Sequence, residues 1–100
     1  MGHVIASTDQ LTVVVDGATV RIGGDVDLAA RSSILEAFAL VPESELLALD
    51  LEHVAFIDSA GLAAILFAAQ RPTGVRIAAS SRAVDWLLEF AGCADLLQSG

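Results

Sequence analysis

The fold of this 100-residue chain is decided by one stretch, residues 50–62, with the sequence Asp50-Leu51-Glu52-His53-Val54-Ala55-Phe56-Ile57-Asp58-Ser59-Ala60-Gly61-Leu62. A hydrophobic strand runs up to Asp58-Ser59, and there the pattern changes to an Ala- and Leu-rich helix predicted over residues 60–70. Ser59 is expected at or beside the N-cap, where free N–H groups point outward and the helix dipole favours negative charge. That environment can hold a phosphate on Ser59. On the residues alone, capping is the simpler role for Asp58 and Ser59.

The residues on either side of this stretch predict alternating strands and helices. Residues 45–51 are predicted to form a buried strand, and residues 75–79 a shorter one after the break at Pro72-Thr73-Gly74. Ser80 or Ser81 is expected to cap a helix over residues 82–91, which ends at Gly92. Strands and helices in this order imply parallel strand pairing through right-handed crossovers.

The N-terminal half predicts a β-hairpin. Two β-rich runs, residues 11–15 and residues 19–22, flank Asp16-Gly17, a pair typical of a type I′ turn with positive φ at both positions. Gly23-Gly24 is expected to end the second strand.

An acidic loop and a helix are predicted after the hairpin. The loop is Asp25-Val26-Asp27, and Asp27 is expected to act as the N-cap of a helix from residue 28 to about residue 40. Pro42 closes this segment, because proline cannot donate a hydrogen bond within a continuing helix.

These elements predict a single small α/β domain over residues 1–100, with its core in about residues 11–97. We expect a mixed sheet of about four strands with helices packed against it. Hydrophobic residues make up 55% of the chain and charged residues 18%, which is typical of a folded domain rather than a disordered one.

Charge and hydropathy exclude several classes of function. The formal net charge is −8 and the five basic residues are all arginine, so binding to nucleic acid or directly to an anionic membrane is not expected. Residues 1–10 are too polar and too short for a signal peptide. The longest apolar run, residues 60–69, is about half the length that a bilayer-spanning helix needs. We therefore expect a cytoplasmic protein.

Candidate residues for catalysis or metal binding are few. His53 is the only interior histidine, and a catalytic arrangement with Ser59 would need an acid behind it. Cys93 is the only cysteine and has no basic neighbour, so it is expected to be a small hydrophobic residue. Asp25 and Asp27 lack the further oxygen donors of a metal loop. No catalytic residue, metal or cofactor is expected, and the protein is not expected to be an enzyme.

Three segments resemble the STAS domain, and most closely the anti-sigma factor antagonists. Residues 50–62 resemble a strand leading to Asp-Ser-Ser-Gly-Leu or Asp-Ser-Thr-Gly-Leu, and residues 24–28 resemble a Gly-Glu-Leu-Asp segment. Ser81-Arg82-Ala83-Val84, with residues 87–92, resembles the closing helix of that family. The resemblance extends over roughly residues 11–97.

This resemblance implies a bacterial partner-switching mechanism. The unmodified antagonist would bind an anti-sigma factor, often a serine kinase, and release a sigma factor. Phosphorylation of Ser59 would end the interaction, and a PP2C-type phosphatase would restore it. The resemblance implies that the partner-binding residues are Asp25, Asp27, Asp58, Ser59, Ala60, Gly61 and Leu62.

Two departures from the family pattern bear on the partner. Ala60 stands where a second Ser or Thr is usual, and Phe67 where a small or polar residue is common. The helix after Gly61 has no charge before Arg71, which predicts an exposed apolar patch and self-association. The alternative function is a standalone STAS subunit with a structural binding role, in a transporter complex or a stressosome-like scaffold.

Overall fold

The computed structural model describes residues 2–68, 70–90 and 92, which form a mixed β-sheet with helices packed against it. The strands are β1 (Gly2–Ser7), β2 (Leu11–Asp16), β3 (Thr19–Val26), β4 (Leu47–Ile57) and β5 (Val75–Ser80). The helices are α1 (Arg31–Ala39), α2 (Ser59–Ala68) and α3 (Arg82–Phe90), and a 3₁₀ turn, Leu28–Ala30, precedes α1.

The strands lie in the order β1-β2-β3-β4-β5. The β1–β2 and β2–β3 pairs are antiparallel, whereas β3–β4 and β4–β5 are parallel and are connected through α1 and α2. The predicted α/β class and mixed sheet are confirmed. The sheet has one strand more than the sequence predicts, because residues 2–7 pair with β2, from Gly2 opposite Asp16 to Ser7 opposite Thr12.

The hairpin between β2 and β3 forms as predicted, but with a different turn. Asp16 pairs with Thr19, so the turn residues are Gly17 and Ala18. Gly17 has a φ of 61°, and among the described residues only glycines have positive φ. Positive φ at the first turn position alone is the pattern of a type II′ turn, so the predicted type I′ turn is wrong.

Strand β3 continues past Gly23-Gly24 to Val26, so the predicted strand end was too early. Gly24 has a φ of 90°, and a Cβ there would lie 2.2 Å from the carbonyl oxygen of Gln10. The two glycines let the strand pass close to its neighbours without ending. As a result Asp25 belongs to β3 rather than to a loop.

Strand β4 is one continuous strand of 11 residues. It contains most of the buried strand predicted over residues 45–51 and the hydrophobic strand predicted to run up to Asp58-Ser59. Leu51, Val54 and Ile57 are buried at a spacing of three, while the residues between them are exposed. The register with β3 shifts twice along this stretch, which is the effect of β-bulges. Each bulge adds one residue to β4 and so returns the next hydrophobic side chain to the core.

The core lies on one face of the sheet. Alternate residues of β2 and β3, among them Val13, Val15, Val20 and Ile22, form a single cluster with buried residues from all three helices. The opposite face carries polar groups, and Arg21 lies there with its Nε 3.6 Å from Asp50 and its Nη1 3.5 Å from Asp16.

The helix ends follow the capping predictions closely. The Asp27 side chain accepts a hydrogen bond from Ala29 N at 3.0 Å, although the first turn is 3₁₀ rather than α-helical. At α3 the cap is Ser81, whose hydroxyl accepts from Val84 N at 3.4 Å. Cys93 and the end of the predicted core, up to about residue 97, lie outside the described residues.

Arg71, which follows α2, is hydrogen bonded to the C-terminal end of α1 and the residues after it. Its guanidinium donates hydrogen bonds to the carbonyl oxygens of Phe38, Val41 and Pro42, at 3.2, 3.0 and 2.7 Å. Phe38 lies in the last turn of α1 and Val41 and Pro42 follow that helix, so Arg71 links the segment after α2 to the C-terminal end of α1 and the residues that follow it. In the part of the chain that the structure describes, no helix is long and apolar enough to cross a membrane.

Replacing Gly17 by valine should destabilise the protein by about 1–2 kcal/mol, because a β-branched residue is poorly tolerated at positive φ. A Cβ at this position would have no atom within 4 Å, so the cost is one of backbone conformation alone. Chemical denaturation of both proteins measures the difference. Gly17→Ala is the matched control, since it adds a Cβ without a β-branch, and its stability should lie between those of the parent and Gly17→Val. Equal stability of Gly17→Val and the parent would contradict the turn assignment.

Candidate functional site

The candidate site forms where β3 and β4 end at the same edge of the sheet. Asp25 lies opposite Phe56 and Val26 opposite Ile57 in the parallel register. The next residues, Asp27 and Asp58, therefore leave the sheet side by side. A hydrogen bond from Asp58 N to Val26 O, at 3.2 Å, joins the two chain segments beyond the last pair. The acidic residues of the Asp25-Val26-Asp27 segment are thus adjacent to the Asp58-Ser59 motif.

Asp58 is the residue that caps α2. Its Oδ1 accepts a hydrogen bond from Gly61 N at 2.9 Å, and its carbonyl oxygen accepts from Leu62 N at 2.9 Å. Ser59 is the first residue of the helix and is exposed. No side chain or backbone group among the described residues is hydrogen bonded to the Ser59 hydroxyl. Asp58 therefore caps the helix, and Ser59 is exposed to solvent.

Gly61 allows α2 to start in contact with β3. A Cβ on Gly61 would lie 2.3 Å from Val26 O and 2.7 Å from Val26 Cγ1. Real Cβ atoms do not approach other atoms this closely, so any other residue would push the helix away from the strand. The glycine at this position is needed for a close approach of backbone to backbone.

The predicted partner-binding residues divide into exposed and buried ones. Asp25 and Ser59 are exposed, and Asp27, Asp58 and Ala60 are half-buried. Gly61 and Leu62 are buried, with Leu62 part of the hydrophobic core. The last two residues can therefore shape the site but present little surface to a partner.

The electrostatics around Ser59 combine two opposing effects. Three carboxylates, those of Asp25, Asp27 and Asp58, belong to the two segments that meet here, and no salt bridge to any of them occurs among the described residues. The N-terminus of α2 attracts negative charge, while the carboxylates repel it. A phosphate on Ser59 would raise the negative charge of an already acidic edge.

A shallow pocket of about 290 Å³ lies next to this edge. It is formed between the β1–β2 connection and the 3₁₀ turn, and it is lined by Thr8, Gln10, Leu11, Asp25, Asp27 and Ser33 among others. Its walls combine carboxylates with small polar and apolar groups.

Phe56 is a surface residue of the site region that sequence reasoning missed. Its side chain is 50% exposed, although it lies in the middle of an apolar run. Simple alternation of buried and exposed side chains along the strand does not predict that Phe56 is exposed, because the preceding bulge changes which side chains face the core. His53 is exposed on the same strand, and no group of three His, Cys, Asp or Glu residues in the described ranges is arranged to hold a metal ion.

Residues 10–98 match the family model for the STAS domain. The chain belongs to the STAS domain family. The match includes the Asp58-Ser59 motif and both parallel strands that end at the site, whereas β1 precedes it. No curated protein matched the sequence. STAS domains are typically regulatory rather than catalytic, which agrees with a site made of an exposed serine, carboxylates and a close-packed glycine.

Replacing Gly61 by alanine should destabilise this STAS domain by about 1–3 kcal/mol, because the added methyl group meets Val26 O. Intrinsic helix propensity alone predicts the opposite, a gain of roughly 1 kcal/mol. Chemical denaturation decides between the two. Ala63→Ser, at an exposed position of the same helix, serves as a control and should change stability little. A Gly61→Ala protein more stable than the parent would show that the approach to β3 is not tight.

Proposed function

We propose that this STAS domain is an anti-sigma factor antagonist that is controlled by phosphorylation of Ser59. In its unmodified form it binds an anti-sigma factor with serine-kinase activity and so releases a sigma factor. Phosphorylation ends binding, and a PP2C-type phosphatase restores it. The protein is a substrate and a switch rather than a catalyst.

The observation that carries this proposal is the placement of the Ser59 hydroxyl. It is exposed at the first residue of α2, and the capping role that could have occupied it is filled by Asp58. A serine needed only for capping would use its own oxygen to accept a backbone N–H. An exposed hydroxyl at the edge of the sheet is accessible to a kinase.

The charge of the site explains how phosphorylation would end binding. A phosphoserine carries about −1.5 to −2 charge at neutral pH. Here it would be added next to Asp58, with Asp27 on the adjacent segment. A partner that fits the unmodified site would then face added like-charge repulsion or an additional group to desolvate.

A structural role within a larger assembly is the second candidate function. It is supported by apolar surface that the proposed switch does not use. Phe67 on α2 is 57% exposed, and on α3 the exposed rings of Trp86 and Phe90 stack with centroids 5.2 Å apart. Such surface is typical of an interaction site, including one between copies of the chain. Light scattering during size-exclusion chromatography tests self-association, and Phe67→Ser should reduce it if α2 carries the contact.

Changing Ser59 should separate folding from binding. Ser59→Ala should fold and bind the anti-sigma factor as the parent does, but accept no phosphate. Ser59→Asp should fold as well as the parent and yet bind roughly 1–3 kcal/mol more weakly, because a negative charge then stands where the phosphate would be. Thermal melts, titration with the partner, and phosphate incorporation with kinase and ATP measure these three properties.

Ser59→Asn is the matched control for Ser59→Asp, since it has nearly the same shape without the charge. It should bind more tightly than Ser59→Asp. Phosphate on the Ser59→Ala protein, or full-strength binding by a folded Ser59→Asp protein, contradicts the proposed switch.

Association with the partner should slow as salt is raised. The chain has a net charge of −8 and its candidate site is acidic, so the partner is expected to present arginine or lysine. Electrostatic steering accelerates such encounters at low ionic strength, and salt screens it. Stopped-flow association rates from low to moderate salt measure the effect, with Asp25→Asn expected to flatten the profile. A rate independent of salt would contradict an electrostatic interface.

A further inference from the structure

Phe56 and Asp25 occupy paired positions on the neighbouring strands β4 and β3, and both are exposed. The two residues are direct partners in the β3–β4 register. The pair that follows them, Val26 and Ile57, is buried. Because neighbouring positions at the end of a strand point to opposite faces, Phe56 and Asp25 both point away from the core. Both side chains are exposed, Phe56 by 50%.

The charge of Asp25 is not balanced within the described part of the chain. No hydrogen bond or ion pair to its carboxylate occurs there, and its backbone N–H is used by Gln10 O at 2.7 Å. Arg21, on the same strand, is placed between Asp16 and Asp50. Arg71 is held by carbonyl oxygens at the end of α1. Neither of these cations is bonded to Asp25.

We propose that Phe56 and Asp25 together form a docking point for an arginine side chain of the protein partner. The guanidinium plane stacks on the ring of Phe56 while its N–H groups donate to the Asp25 carboxylate. This pairing needs a cation that is planar, able to donate several hydrogen bonds and fully charged at neutral pH, and arginine has all three properties. A lysine ammonium would satisfy the carboxylate but could not stack.

Charge complementarity is what selects this occupant over an apolar one. An exposed phenylalanine surrounded by apolar groups would favour a leucine or another aromatic ring. Phe56 instead has Asp25 beside it across the strands, and Glu52 and Asp58 are the nearest acidic residues along its own strand and loop. With a net charge of −8 for the whole chain, a cationic contact is favoured at long range as well as at close range.

The first test uses a simple probe and does not require the partner. Isotope-labelled protein is titrated with N-acetyl-arginine amide and, at equal ionic strength, with N-acetyl-lysine amide, while backbone NMR shifts are followed. We expect shifts centred on Asp25 and Phe56, with the arginine compound binding more tightly. Phe56→Leu, which keeps an apolar side chain but removes the ring, should weaken arginine binding about two- to fivefold. Asp25→Asn should weaken both compounds.

Two controls make this result specific. Phe67→Leu removes another exposed ring, and Asp9→Asn removes another exposed carboxylate, and neither should change the titration. Equal binding of the arginine and lysine compounds, an unchanged titration of Phe56→Leu, or contacts in the free protein between the Phe56 ring and another part of its own chain would each overturn the inference.

The second test uses the anti-sigma factor and depends on the proposed function for the identity of that partner. Phe56→Leu and Asp25→Asn should each reduce affinity, and the double variant should lose less than the sum of both, since the two groups contact the same arginine. Strict additivity would overturn the shared contact.

If the Ser59 variants behave as expected but the arginine titration fails, only this inference falls. If no anti-sigma factor binds while the titration succeeds, only the proposed function falls.

Discussion

The close contact between the first turn of α2 and the last carbonyl of β3 is the constraint on which the site depends. Gly61 brings the helix so near to Val26 O that no side chain fits between them. That approach places Asp58 N within hydrogen-bonding distance of the same oxygen. It also turns the first residue of the helix, Ser59, outward. Because Gly61 has no Cβ, the start of α2 can lie against the Asp25-Val26-Asp27 segment. Ser59 then stands beside that segment with its side chain exposed.

Much of the fold could be predicted from local chemistry. The hairpin follows from Asp16-Gly17 between β-rich runs, the parallel half from strands alternating with helices, and two helix starts from Asp27 and Ser81. The predictions that were wrong concern features that depend on how the strands pair. The residues of β1 show no clear strand pattern in the sequence, and the strand forms by pairing with the edge of β2. The turn type depends on which residues pair, and the register places Gly17 first in the turn rather than second.

The two bulges in β4 limit what the sequence predicts about the site. Strict alternation of inward and outward side chains cannot place Leu51, Val54 and Ile57 all in the core, so the sequence does not show that residues 45–51 and the strand leading to Asp58 form one strand. The same bulges carry Phe56 to the surface, and for that reason it was missed as a candidate contact. The motif at Asp58-Ser59 was recognisable because it is local. The sequence alone could not show that Asp58 rather than Ser59 caps the helix, since both residue types are good caps.

The stacked pair on α3 has a practical consequence for spectroscopy. Trp86 is the only tryptophan of the chain, and it is 64% exposed with its ring against Phe90. An indole that already contacts water in the native state changes its emission little when the chain unfolds. Intrinsic fluorescence is therefore a poor monitor of denaturation for this protein, and circular dichroism is the better choice. For the same reason the emission is a sensitive reporter of anything that covers α3, since displacing water from that ring would shift it to shorter wavelength.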